Sequence, residues 1–288
     1  MKIQTTLRTN VSIEGIGLHT GKMVRVEFRP AGEDHGIVFH RSDAAGPAIP
    51  ASPVSTRGFD HATTLGAGGL EVSTVEHVLS AAYGLGLDNM DVDVDGPELP
   101  ILDGSALPFA RLFLAAGIER QQRPIAPHVV ARAVEIVSGD RAISAEPGRG
   151  LTIQYEIEFP HRAIGRQEFV FELSPDTYAS RIAPARTFGL MSDIEQLRSR
   201  GLARGGSLSN AIVLDEENIL SGPLRFPDEF VRHKILDLIG DLALLGRPIE
   251  GRIRARRAGH ALHAAIVRKL AQPAQDSGAI PTSVRARG

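Results

Sequence analysis

A chain of 288 residues, 42% hydrophobic and 23% charged, is long enough for two ordinary domains or one large one and apolar enough to bury a full core. Its formal net charge of −2 argues against a nucleic-acid partner. The absence of cysteine excludes disulfides and thiolate metal sites, and leaves His, Asp and Glu as the strong ligands. MKIQTTLRTN lacks the apolar stretch of a signal peptide and no run of roughly eighteen apolar residues reads as a transmembrane segment, so the expectation is a cytoplasmic protein.

Alternation predicts strands at Val24, Val26 and Phe28, over 36–40, and at Met90, Val92 and Val94. A helix is predicted over 73–84, with an apolar stripe of Val75, Val78, Leu79 and Ala82, and another over 107–117. QQRPIAP, over 121–127, is polar, has two prolines and no periodicity, and reads as a boundary between domains at 1–122 and 128–272. The second half repeats the order: strands over 129–137 and 153–159, a helix over 230–246, a strand near 252–256 and a helix over 261–272. The tail at 273–288 reads as disordered, and its Arg285 and Arg287 as a solvated end. Only 192–216 lacks a counterpart in the first half. There Ser192 and Glu195 form a capping-box pattern before a short helix, followed by a strand-like run from Asn210 to Leu214.

The helix FVRHKILDLIGDLALLG carries one stripe of Val231, Ile235, Leu238, Leu242 and Leu245, and a second of His233, Asp237 and Asp241. Residues four apart are helix neighbours, so His233 and Asp237 can grip one divalent cation; on pattern alone, a surface contact worth about 0.5 kcal/mol at best is the favoured reading of the pair. VEHVLSAAYGLG echoes this helix, with Val75 over Val231, His77 over His233 and Gly84 over Gly240. Each helix turns its histidine away from its own apolar stripe. Two copies of an α+β unit packed face to face would therefore bring His77, His233 and Asp237 together as three ligands of an open tetrahedral zinc site.

Glu76 has two readings: a helix cap, from the capping-box pattern Ser73-Thr74-Val75-Glu76, or a base beside a metal-binding histidine. His260 and His263, one turn apart, form a rival chelating pair with no acidic residue nearby in sequence. If His260 is not a ligand, it can protonate a leaving group while Asp241 holds it oriented. Asp103 reads as a turn or cap. Thr187 and Phe188 in ARTFG, Lys234, and His19 in GLHTG lie near turns or beside the candidate ligands, and spacing alone does not bring them together.

VEHVLSA, ARTFGLM, RGLARGGSLSNAIVLD, FVRHKILDLIGDL and AGHALH occur in that order, with GLHTGK and PILDGSA before and among them. Across nearly the whole chain to about Gln272, this set resembles the zinc-dependent UDP-3-O-acyl-N-acetylglucosamine deacetylases of lipid A synthesis. The resemblance implies an α+β fold of two similar domains, each a sheet with helices on one face, packed helix layer to helix layer with the metal between them. It implies zinc on His77, His233 and Asp237, Glu76 as general base, His260 as protonated catalyst with Asp241 as partner, and Thr187 on the oxyanion. It further implies substrate contacts from Phe188, Lys234 and His19, and an acyl passage built by 192–216. Nucleotide contacts are implied around His161, although Arg162 follows it where proline is common, and Arg141 stands where a lysine meets phosphate, keeping the charge and changing the geometry. His263 stands where the resemblance leads one to expect asparagine. The substrate implied is a UDP-linked acylated glucosamine. A non-catalytic sugar-nucleotide-binding protein with a structural metal is the rival, and it would need a fourth protein ligand.

Overall fold

The structure, a computed structural model, describes residues 2–59 and 62–272. The tail expected to be disordered, 273–288, lies outside the described residues. The architecture is α+β. A five-stranded sheet runs in the order Val11–Ile16, Met23–Pro30, Met90–Val94, Ile37–Arg41, Ile49–Pro50. The second sheet runs Val134–Ser138, Arg141–Glu146, Ile249–Arg256, Leu151–Glu158, Arg166–Glu172, with His128–Val129 also paired to its central strand. Both central strands are antiparallel to the neighbour on one side and parallel to the neighbour on the other. The two sheets thus share one order and one set of directions, which extends the sequence echo from a helix to a whole unit. Val24, Val26 and Phe28 in the first sheet, and Ile153, Tyr155 and Ile157 in the second, are buried on one face as their alternation predicts.

Among the described residues, six α-helices accompany the sheets. In chain order they are α1 (Glu76–Leu85), α2 (Leu107–Ala116), α3 (Pro175–Arg181), α4 (Met191–Ser199), α5 (Glu229–Leu242) and α6 (His260–Ala271). The central strand of the first sheet lies between α1 and α2 in sequence, and that of the second between α5 and α6. Helix α5 is buried almost all round, polar stripe included, because a second helix covers the side that its own sheet does not. That second helix is α1. Among the described residues, no helix is long and apolar enough to cross a membrane.

The two glycines of the echo mark the close approaches. A Cβ on Gly240 would stand 2.2 Å from the Glu76 carbonyl oxygen, so the α5 backbone lies directly against the first turn of α1. A Cβ on Gly84 would stand 2.4 Å from the Tyr178 ring of α3. At Gly240 the obstructing atoms are backbone and cannot rotate aside. Gly240→Ala is therefore expected to force the helices apart and cost about 1–3 kcal/mol, read as a lowered Tm; an unchanged Tm would contradict this close approach.

Four local expectations are corrected. The residues of QQRPIAP up to Ile125, read from sequence as aperiodic, are the end of a strand, Ile118–Ile125, antiparallel to Lys2–Leu7. Its polarity reflects a strand whose residues are largely exposed, paired with one that buries Gln4, Thr6 and Leu7. The strand expected over 129–137 is broken into His128–Val129 and Val134–Ser138. Ser73 does not cap α1: the helix starts at Glu76, the Ser73 hydroxyl donates to the Pro97 carbonyl, and Glu76 accepts from Thr63 instead. Ser192 does not cap α4 either, because that helix already begins at Met191. In both places a longer-range demand overrides the local pattern.

Candidate metal centre and cleft

The seam between α1 and α5 is where both helices turn their polar stripes. His77 is 4% exposed, His233 1% and Asp237 3%, so three groups that ordinarily seek water lie sealed together. His233 Nε2 is 3.3 Å and His77 Nε2 4.0 Å from Asp237 Oδ1, and one ligand atom from each residue lies within 4.8 Å of the other two. Donors on a tetrahedral cation at about 2.0–2.1 Å stand about 3.3 Å apart, so the spacing fits one ion between them. His233 Nδ1 donates to the Ala185 carbonyl at 3.1 Å, which leaves Nε2 as the free lone pair. His77 Nδ1 is buried with no hydrogen-bond partner among the described residues.

Burial, and then the neighbouring His233, push the His77 imidazole down to about 3; burial likewise lowers His233. Both rings are therefore neutral at pH 7, the form that binds metal. Burial alone would raise Asp237, but His233 and Lys234 override it and hold the carboxyl well below the usual range. Two neutral nitrogens and one carboxylate oxygen make a donor set that suits a divalent metal.

Two acid–base groups flank the triad. Glu76, the first residue of α1, is 4% exposed and accepts from Thr63 N–H at 3.0 Å. Burial pushes its carboxyl up to about 7, with Asp237 and Asp241 adding to the rise and His260 opposing it. His260, the first residue of α6, places Nδ1 2.8 Å from Asp241 Oδ2 and Nε2 3.9 Å from Asp237 Oδ2. Burial favours its neutral form, but the Asp241 carboxylate overrides this and raises the imidazole to about 9. Asp241 in turn is held down to about 2, against its burial, by His260 and by hydrogen bonds from His260 and His263. At neutral pH the site therefore combines a carboxyl that can change its charge with a histidine that stays cationic.

A cleft of about 490 Å³ opens from these residues. Glu76, His77, Thr187, Lys234, Asp237 and His260 line its polar end. Ile194 and Leu197 of α4, with Leu208, Ala211, Val213 and Leu220, line its apolar end. Most of that apolar wall comes from 192–216, which also supplies Ile212–Leu214, a short strand parallel to Phe188–Leu190. Phe188 stands edge-on to His233, with ring centroids 6.3 Å apart, and Lys234 Nζ bonds Asp237 Oδ2 at 2.9 Å. His19 lies on the cleft wall, its turn held by Glu98, which accepts from His19 N–H at 2.7 Å and Thr20 N–H at 2.8 Å.

Two residues singled out from the sequence are not brought to the cleft. His161 is buried with both ring nitrogens engaged: Nε2 meets the Asp215 carbonyl at 2.9 Å, and Nδ1 accepts from Ala163 N–H at 3.1 Å. Arg141 is the exposed first residue of the strand Arg141–Glu146 and is not among the residues that line the cleft. Asp103 forms the expected turn by accepting from Ser105 N–H and Oγ, and also pairs with Arg225 at 2.9 Å.

Sequence reasoning missed three supports. Thr63 binds Glu76 through its backbone and Asp241 through its hydroxyl, the latter at 2.5 Å. Glu229 accepts from Arg186 N–H and Nε–H, at 3.0 and 2.9 Å, which fixes the segment carrying Ala185 and Thr187 against α5. The third is His263, which shares the Asp241 partner that the sequence reading gave to His260 alone. Both Nδ1 atoms converge on Asp241 Oδ2 at 2.8 Å, and Asp241, His260 and His263 thereby form a second close group that could hold a cation beside the His77, His233 and Asp237 set. A glutamate at the very start of α5 and the arginine of ARTFG were the only signals in the sequence for the Arg186–Glu229 pair.

The family model for the UDP-3-O-acyl N-acetylglycosamine deacetylases matches residues 4–272. Among curated relatives named UDP-3-O-acyl-N-acetylglucosamine deacetylase, the Myxococcus xanthus protein is 49% identical over 269 residues, covering 93% of this chain and 86% of the relative. The Oleidesulfovibrio alaskensis protein is 48% identical, covering 93% and 89%, and the Phenylobacterium zucineum protein 44%, covering 93% and 93%. With a family match across nearly the whole described chain and identities of this size, the chain belongs to the UDP-3-O-acyl N-acetylglycosamine deacetylase family.

Proposed function

We propose that this chain is a zinc amidase that removes the N-acetyl group of a UDP-linked, 3-O-acylated N-acetylglucosamine, releasing acetate in lipid A synthesis in the cytoplasm. The observation that carries the reading is the buried N, N, O donor set at the polar end of an apolar cleft, flanked by Glu76 and His260. A structural zinc is closed by four protein ligands, whereas the group of His77, His233 and Asp237 offers three among the described residues, which favours catalysis over the structural rival.

In this reading His77, His233 and Asp237 hold the zinc. When bound, it supplies a Lewis acid that polarises an amide carbonyl and makes water acidic near neutral pH. Glu76 takes a proton from the attacking water as the water oxygen bonds to the acetyl carbon. Negative charge then develops on the carbonyl oxygen, where cationic His260 and the Thr187 hydroxyl stabilise it. The C–N bond breaks as the nitrogen gains a proton; Glu76, now protonated, and His260 are the two groups placed to give it. The products are acetate and a free 2-amino sugar. Phe188 forms part of the wall, and Lys234 and His19 meet sugar or phosphate oxygens. For His161 and Arg141 the reading keeps no direct contact, since neither lines the cleft.

The same reading takes the fold as two similar domains, 1–122 and 128–272, packed helix layer to helix layer with the metal between. Support comes from the shared strand order and from the approach of α5 to α1 at Gly240. The insert 192–216 becomes the acyl passage. Burial contributes about 0.8 kcal/mol per methylene, so each methylene removed from the 3-O-acyl chain is expected to lower kcat/KM about fourfold. Acetate release measured over an acyl series tests this assignment; indifference to chain length would refute it.

A further inference from the structure

Two fully buried side chains, Tyr155 and His263, take no part in the reaction above, yet end on its acid–base pair. His263 follows His260 by one turn of α6 and sets Nδ1 2.8 Å from Asp241 Oδ2, the same oxygen that His260 Nδ1 meets at 2.8 Å. On its other side His263 Nε2 lies 2.9 Å from the Tyr155 hydroxyl, on a strand of the second sheet. Thr63 occupies the other carboxylate oxygen, Oδ1. Asp241 therefore accepts three donors from two separate segments of the chain, Thr63 and helix α6, which fixes both the position and the plane of its carboxylate.

The proton positions follow from these partners. His263 Nδ1 faces a carboxylate and so carries the proton. Burial lowers the ring below its ordinary value, and Nε2 and the Ala258 carbonyl both lie 2.9 Å from the Tyr155 hydroxyl, which these two contacts pin in place. Among the described residues, His260 finds hydrogen-bond partners only in Asp241 and, at 3.2 Å, in Thr63. Its aim therefore depends on where Asp241 is held.

Building on the catalytic reading of His260, we propose that His263, buttressed by Tyr155, is a positioning residue: it holds Asp241 Oδ2 where that oxygen orients His260 Nδ1, and so aims His260 Nε2 at the reacting carbonyl. A histidine that merely filled the core would affect stability and would be indifferent to His260.

The test is a double-mutant cycle on the zinc-loaded enzyme, reading kcat, KM and metal content. His263→Leu is expected to lower kcat about 10- to 100-fold with KM and zinc little changed, as for a misaimed catalytic group. His263→Asn, whose amide N–H can take the place of Nδ1–H, is expected to recover kcat to within about threefold of wild type. In a His260→Gln background, His263→Leu is expected to change kcat by less than about twofold, because the group it positions is gone. Tyr155→Phe provides the same comparison if the leucine variant folds poorly, with a loss of about fivefold that likewise vanishes in the His260→Gln background. An equal loss in both backgrounds would overturn the proposal, as would wild-type kcat in His263→Leu alongside a damaged His260→Gln. Wild-type kcat in His260→Gln itself would instead remove the reading of His260 on which the proposal stands.

Discussion

Glu76→Gln is expected to lower kcat about 100-fold or more while zinc content and Tm stay near wild type, since a positioned general base contributes roughly 10² to 10⁴ in rate. The amide oxygen of glutamine can still accept from Thr63 N–H, so the shape of the site is kept and only proton acceptance is lost. Because Ser73 and Glu76 form no reciprocal cap, there is no cap for the substitution to break. Near-wild-type turnover with full zinc would require another base.

The pH profile gives the same residue a second signature. Glu76 must be ionised to accept a proton, and its carboxyl is raised to about 7, so kcat should climb as pH rises through that value. His260 must be protonated to meet the oxyanion, and its imidazole is raised to about 9, so kcat should fall as pH rises through that value. A cation on the triad favours the charged carboxylate and the neutral imidazole, which shifts both limbs to lower pH. The limbs belong to the coupled site rather than to single residues. Glu76→Gln should still flatten the acid limb, and His260→Gln should move or abolish the alkaline one.

Replacing His77, His233 or Asp237 by alanine is expected to remove tight zinc binding and with it deacetylation. Each loss leaves two protein donors, too few for a tight site. The fold should survive, because the apolar stripes that build α1 and α5 lie on other faces: Val75, Val78, Leu79 and Ala82 on the first, Val231, Ile235, Leu238 and Leu242 on the second, all buried. Elemental analysis beside a thermal melt separates metal loss from unfolding. A His77→Ala, His233→Ala double variant with full stoichiometric zinc would contradict the ligand set.

The elements that position the site were legible in sequence for a physical reason. Period 3.6 in α1 and α5, and period 2 in the strands carrying Phe28 and Tyr155, record which face is buried. The echo of VEHVLSAAYGLG in VRHKILDLIGDL carries that record across the two halves. Gly84 and Gly240 are part of the echo because each meets a close neighbour. What escaped notice was set by contacts with no local period. Thr63 reaches Asp241 across 178 positions and Tyr155 reaches His263 across 108, and no spacing rule joins them. The two false capping boxes failed in the opposite sense: the local pattern was present, but Glu76 was drawn to Thr63, and α4 began one residue before Ser192.

The most direct test of the account is to strip the purified wild-type chain with a chelator and titrate zinc back while measuring bound metal and acetate release together. Acetate release should vanish with the metal and return in proportion to it, reaching its plateau at one zinc per chain. Full acetate release from the metal-free chain would contradict the central claim that the α1–α5 seam is a catalytic metal site.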